Sequence, residues 1–180
     1  RLLCRAPWLL FTLCAGLGTA TGLSWMQDYP WFAFVPFFLP LITGMSGNVG
    51  IQCSTVLVRA MATGEMSPGM RKDAARKELT IGLTTGVMFG ILCGTVVYLL
   101  NATGIHRTGS EPYVVGVIVS AGVFGACMCA TVLGTASPFF FSRMGIDPAV
   151  AAGPIVTAFN DVISAMMYCL IAHVVSTMFF

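Results

Sequence analysis

Charge is what this sequence has least of. Aspartate, glutamate, lysine and arginine make up 9% of its 180 residues, whereas 57% are hydrophobic and the mean hydropathy is +0.87. Soluble domains carry about 25% charged residues. So sparse a supply cannot clothe a water-facing surface, which excludes an ordinary soluble enzyme. The net charge of +2 is small, and no basic stretch is interleaved with stacking aromatics, so nucleic acid is excluded as a partner. Internal repeats, low-complexity tracts and a soluble domain are lacking. No cleavable signal peptide is expected, since the apolar run after Arg1 and Arg5 is long enough to span a membrane and has no convincing cleavage site. Cysteine is present seven times, but mostly inside apolar runs (Cys14, Cys53, Cys93, Cys127, Cys129, Cys169), where it behaves as a small hydrophobe. Cys127 and Cys129, two residues apart, point to different sides of a helix and make a poor metal site.

What is there is apolar length. About 20 apolar residues cross a hydrocarbon core as a helix. Five segments qualify: roughly 8–26, 31–59 or 63, 79–100, 113–141 and 148–175. The expected fold is therefore all-α, a polytopic membrane protein with five transmembrane helices and one transmembrane domain over 1–180. Pro148 suits the first turn of the fifth helix, with Asp147 as its N-cap.

Cytoplasmic flanks collect lysine and arginine. With the N-terminus inside, the inner side holds Arg1, Arg5, Arg59, Arg71, Lys72, Arg76, Lys77 and Arg143, and the outer side only Arg107, eight of the nine basic residues on one side. The expected location is the cell membrane, multi-pass, with the N-terminus cytoplasmic and the C-terminus outside. The loop Gly64 to Glu78 reads as a short amphipathic cytoplasmic helix opened by Ser67-Pro68, an anchor at the lipid head groups. In the third segment Gly82, Gly86, Gly90 and Gly94 share one face, which reads as a close helix contact.

Two features exceed the needs of a simple bundle. The second segment is longer than a span requires and begins with Pro36 and Pro40. Its middle is Thr43-Gly44-Met45-Ser46-Gly47-Asn48-Val49-Gly50-Ile51-Gln52. Irregular or polar backbone at membrane depth survives only where it faces protein or water. On a helix Gly44, Asn48, Gln52, Thr55 and Arg59 fall on one stripe, which reads as a wall of an aqueous path. The second feature is Asp161, the only acid deep inside a span and about 20 Å from the inner side. Burying a carboxylate there costs at least about 2.5–3.5 kcal/mol, so it is a functional residue by default. Pro154, Thr157, Ser164 and Tyr168 share its face. Asn48 lies about 16 Å from the inner edge, a similar height.

Oxygen donors such as these suit Mg²⁺, Ca²⁺ or Mn²⁺. Mg²⁺ sheds water reluctantly, so a site with one acid per chain favours a hydrated Mg²⁺, with small glycines such as Gly47 beside Asn48 leaving room for its shell. In a dimer, two copies of Asp161 would flank one pore. Blander readings stand beside these: Asp161 as a proton carrier or a helix-to-helix hydrogen bond, Asn48 and Gln52 as helix glue, and Asp147 as a cap or a second ion site at the inner mouth. His173 reads as interfacial, His106 and Glu111 as solvated outer-loop residues, and Glu65 as a loop residue. No nucleophile–base pair or metal-ligand set points to an enzyme.

The run from Pro40 through Thr43-Gly44-Met45-Ser46-Gly47-Asn48-Val49-Gly50-Ile51-Gln52, then Val58-Arg59-Ala60-Met61-Ala62-Thr63-Gly64-Glu65, resembles the signature of the MgtE magnesium channels. Asp147-Pro148-Ala149-Val150-Ala151-Ala152-Gly153-Pro154, with Thr157 and Asn160-Asp161-Val162, resembles that family's last span, and Arg76-Lys77-Glu78-Leu79 through Gly82 and Gly86 its third-span entrance. The resemblance implies a homodimer in membrane lipid, with a pore at the subunit interface lined by the second and fifth spans. It implies that Asp161 holds a hydrated Mg²⁺, that Asn48 and the Gly44 carbonyl lie beside the ion, and that Gly153 lines the pore. Mn²⁺, Co²⁺ and Ca²⁺ are further candidate ions. Ser46 stands where the family usually has glycine, which is expected to narrow or polarise the wall. The chain lacks the family's cytoplasmic N-terminal and CBS domains, which close the pore at high internal Mg²⁺, and is expected to be a transmembrane piece. The expected function is Mg²⁺ passage; the alternative is a proton- or sodium-coupled carrier using the same aspartate.

Overall fold

A computed structural model describes the backbone of residues 2–105 and 108–179; the side chains of 2–5, 8, 68, 150–152 and 154 lie outside the described set. His106 and Arg107, the outer-loop residues singled out above, are outside it too. Five long helices follow one another: α1 (Leu2–Ser24), α2 (Val35–Ala62), α3 (Arg71–Ala102), α4 (Pro112–Arg143) and α5 (Pro148–Phe179). Among the described residues, Pro30–Ala62, Arg71–Ala102, Pro112–Arg143 and Ile155–Phe179 are long and apolar enough to cross a membrane, and α1 carries a shorter apolar stretch, Leu9–Ser24.

Local chemistry sets the ends. The 3-10 turn Pro30–Phe34 leads into α2, whose first turn takes Pro36; a proline there removes only an N–H that has no helical partner. α2 and α4 both stop on a glycine at positive φ, Gly64 (73°) and Gly145 (71°), the usual way to end a helix. Asp147 caps α5: its Oδ1 accepts from the Ala149 backbone N–H at 2.9 Å. In place of a separate amphipathic helix between Gly64 and Glu78, a short turn at Pro68–Met70 runs straight into α3. No glycine or proline interrupts 71–81, and the Arg, Lys, Ala and Glu there are strong helix formers. The basic residues are thus the first two turns of α3. α2 likewise stays helical through Thr43–Gln52, so its glycines do not unwind it.

The helices alternate in direction. Gly82 of α3 meets Thr131 of α4, and Gly94 meets Ser120 and Gly116, an antiparallel pair. Ile42 and Gly50 of α2 meet Gly122 and Ala130 of α4, a parallel pair. Arg59, Arg71, Lys72, Arg76, Lys77 and Arg143 therefore gather at one end, where the Arg71 guanidinium lies over the Phe139 ring at 5.9 Å. α4 is the centre, with Val115, Ile118, Val119, Val123, Ala126, Cys127 and Ala130 fully buried against its neighbours. α1 packs chiefly along α5.

Candidate functional site: a polar seam between two helices

α2 and α5 pack antiparallel. A side chain built on Gly47 would lie 3.6 Å from Asn160 Nδ2, and one on Gly50 would lie 3.3 Å from Val156. Ser46 and Ser164 join their hydroxyls at 2.9 Å. These contacts set the middle of α2 level with the middle of α5, and so put Asn48 and Asp161 at one height. The two segments that stood out in the sequence are thus brought together at one depth.

The seam has two sides. Gly44, Asn48, Gln52, Thr55 and Arg59 are exposed on the outward face of α2, while Ile42, Ser46, Gly47, Val49, Gly50, Cys53 and Leu57 are buried. A bare stripe of amide, hydroxyl and guanidinium along a membrane-spanning helix is expensive unless protein or water covers it. On α5, Gly153 is exposed and Thr157 and Asp161 are half-buried. A Cβ at Gly44 or at Gly153 meets nothing within 4 Å, so both glycines border open space. The Thr157 hydroxyl donates to the Gly153 carbonyl at 3.0 Å, leaving its oxygen free to accept.

The other side is closed. Ser46, Asn160, Ser164 and Tyr168 are fully buried (0% exposed). Ser164, expected to line the pore, instead faces into the helix bundle, as does Gly47, and the polar stripe expected along α5 divides below Ser164. Ser46, expected to polarise the wall, points away from it. The side chain of Pro154 lies outside the described residues. Asn160, quoted in the sequence only within the family-like run Asn160-Asp161-Val162, was given no role there because it sits one residue off the Asp161 stripe. The signal that could have found it is the spacing of two small polar residues, Asn160 and Ser164, four apart in an apolar run.

No lysine or arginine pairs with Asp161 among the described residues; its polar neighbour is the Asn160 amide. Nor do three His, Cys, Asp or Glu side chains gather as a metal group among them. A cation here would meet one carboxylate per chain and neutral oxygens, a donor set that suits a hard, oxygen-seeking ion. Asp147 is exposed at the basic end and is engaged as a cap. His173 sits at the opposite end among aromatic rings, 5.7 Å from both Tyr29 and Trp31.

These features define a class: an all-helical, multi-span membrane domain with one deep acid beside a polar, outward-facing helix stripe. Residues 39–171 match the family model for MgtE, described as a divalent cation transporter. The chain is 28% identical over 91% of its length to the magnesium transporter MgtE of Bacillus subtilis. It is 30% identical over 93% to that of Enterococcus faecalis, and 28% over 95% to that of Thermus thermophilus. It spans about a third of the length of these relatives (35–36%). The chain belongs to the MgtE family of divalent cation transporters.

Proposed function

We propose that this chain carries Mg²⁺ across the cell membrane through a pore formed where two copies meet, with Asp161 as the ion-binding group. The observation that carries this reading is the seam: the exposed stripe of α2 and the half-buried acid of α5 stand at one height, and Gly44 and Gly153 on the two helices each border open space. Two copies facing each other would cover the stripe and bring two carboxylates to one axis. A hydrated Mg²⁺ keeps its water and is held by acceptors. Asp161 supplies the charge, and the Asn48 side-chain oxygen and the Gly44 carbonyl accept from the ion's water. Gln52, Gly153 and Thr157 continue the wall toward the basic end, which faces the cytoplasm by the positive-inside rule. The names of the relatives, magnesium transporters, support Mg²⁺ as cargo.

The test is Mg²⁺ flux into proteoliposomes holding the native chain or Asp161→Ala, with no gradient but that of Mg²⁺. Flux in the native protein and none in the variant supports the reading. Equal flux in both removes Asp161 as the ion site. Native flux that appears only with an imposed proton or sodium gradient makes the protein a coupled carrier.

A further inference from the structure

The closed side of the seam holds an arrangement that neither the pore reading nor ordinary packing requires. Asn160 Nδ2 donates to Ser46 Oγ at 3.0 Å, and Ser164 Oγ donates to Asn160 Oδ1 at 3.2 Å. The two serine oxygens are 2.9 Å apart. Since the Ser164 proton is committed to Asn160, Ser46 is the donor between the hydroxyls, with the Thr43 carbonyl at 3.1 Å as its alternative acceptor. Three donors and three acceptors close into a ring, each hydroxyl and the amide giving one bond and receiving one. All three side chains are fully buried, so water cannot substitute for a missing member.

The ring is placed where it governs geometry. Ser46 lies two residues before Asn48, about 3 Å along the axis of α2. On α5, Asn160 and Ser164 bracket Asp161, and the Asn160 amide also interacts with the Asp161 carboxyl. Hydrogen bonds are directional, so a closed ring resists both sliding and rotation of α2 against α5, which apolar contacts such as Gly50 against Val156 permit. Whatever fixes these two helices fixes the distance from the Asn48 and Gly44 oxygens to the Asp161 carboxylate.

We propose that Ser46, Asn160 and Ser164 form a positioning clamp that sets the spacing of the cation site, and through it the preference for Mg²⁺ over Ca²⁺. The proposal rests on the pore reading above. Its physical basis is the difference between the ions. Hydrated Mg²⁺ is a rigid octahedron, whereas Ca²⁺ accepts six to eight ligands in flexible geometry. A fixed spacing rewards the rigid ion, and a loosened one favours the adaptable ion.

The experiment compares Mg²⁺ and Ca²⁺ influx in proteoliposomes for the native chain, Ser46→Ala, and a triple variant (Ser46→Ala, Asn160→Leu, Ser164→Ala), with Asp161→Asn alongside. The triple variant removes all ring partners together, leaving no member of the ring unsatisfied, and so keeps a folded protein in hand if Ser46→Ala does not fold. The expected result is a Mg²⁺:Ca²⁺ ratio lowered about two- to tenfold, the span of one net hydrogen bond, together with a raised half-saturation for Mg²⁺. A role in folding alone would lower the amount of active protein and scale both ions equally. An unchanged ratio in the folded variants, while Asp161→Asn loses flux, overturns the clamp and leaves the pore reading standing. Native flux in Asp161→Asn overturns both.

Discussion

Two helix seams in this protein are built from opposite materials. Between α3 and α4, Gly82, Gly86, Gly90 and Gly94 are buried, and a side chain on Gly90 or Gly94 would come within 2.9 Å of the Ser120 carbonyl or 2.8 Å of the Gly116 carbonyl. That seam holds by close approach of backbones, with a lipid-facing surface of leucine, isoleucine and valine on its far side. Between α2 and α5 the glycines are fewer and the grip is a ring of hydrogen bonds, with an open polar face beside it. A helix pair that has only to pack can be made smooth and dry. A pair that is to hold an ion at a set distance, as proposed for α2 and α5, needs directional bonds within the seam and polar groups on its rim.

The sharpest way to break this contrast is at the rim. Asp161→Ala is expected to reduce Mg²⁺ flux to the background of empty vesicles while leaving the purified protein as heat-stable as native, since the residue is half-buried and unpaired with a base. In the dry seam the reverse should hold. Gly94→Leu forces a side chain into the Gly116 carbonyl and should cost about 1–3 kcal/mol of stability. That cost is read as a lowered unfolding temperature in detergent, with the Mg²⁺:Ca²⁺ ratio of the surviving protein unchanged. Equal selectivity losses from both seams would erase the distinction.

A third measurement separates water from lipid on the outward face of α2. Asn48→Cys and Gln52→Cys should react with a water-soluble thiol reagent, and Mg²⁺ should slow the reaction at position 48. The native thiols of Cys53, Cys127 and Cys169, all buried, should not react. Silence at both introduced cysteines would mean that the stripe is covered by something other than water. The smallest effect is expected at Asp147. Asp147→Ala removes the cap on α5 and should cost about 1 kcal/mol. Asp147→Asn keeps the cap and should leave stability and flux as they were; a fall in flux with Asn would reveal an ion at the inner mouth.

Much of this molecule could be read from its residues, for reasons that are local. A span announces itself by twenty apolar side chains, an end by Gly64 or Gly145, and a charge such as Asp161 by standing alone in an apolar run. The glycine face of α3 was legible too, because its repeat of four keeps it on one side without knowledge of the partner. What escaped was the ring, because it depends on which face of α2 meets which face of α5. One residue turns a helix by about 100°, so placing Asn48 outward turns Ser46, about 200° away, inward. Ser164 lay within about 60° of Asp161 by the same count, and only the packing angle puts it behind the seam. The basic turns of α3 were misjudged as a separate helix because Ser67-Pro68 signals a start and a change of polarity resembles a boundary. The backbone has no reason to stop there.

The main attachment of the first helix has a mechanical meaning. α1 leans chiefly on α5, with Phe11 against Phe159 at 5.5 Å near one end. α3 meets the bundle chiefly through α4. A pull on α1 is therefore delivered first to the helix that carries Asp161, and only then to the dry pair behind it. The molecule has in effect a handle, and the handle is bolted to the helix that carries the deep acid.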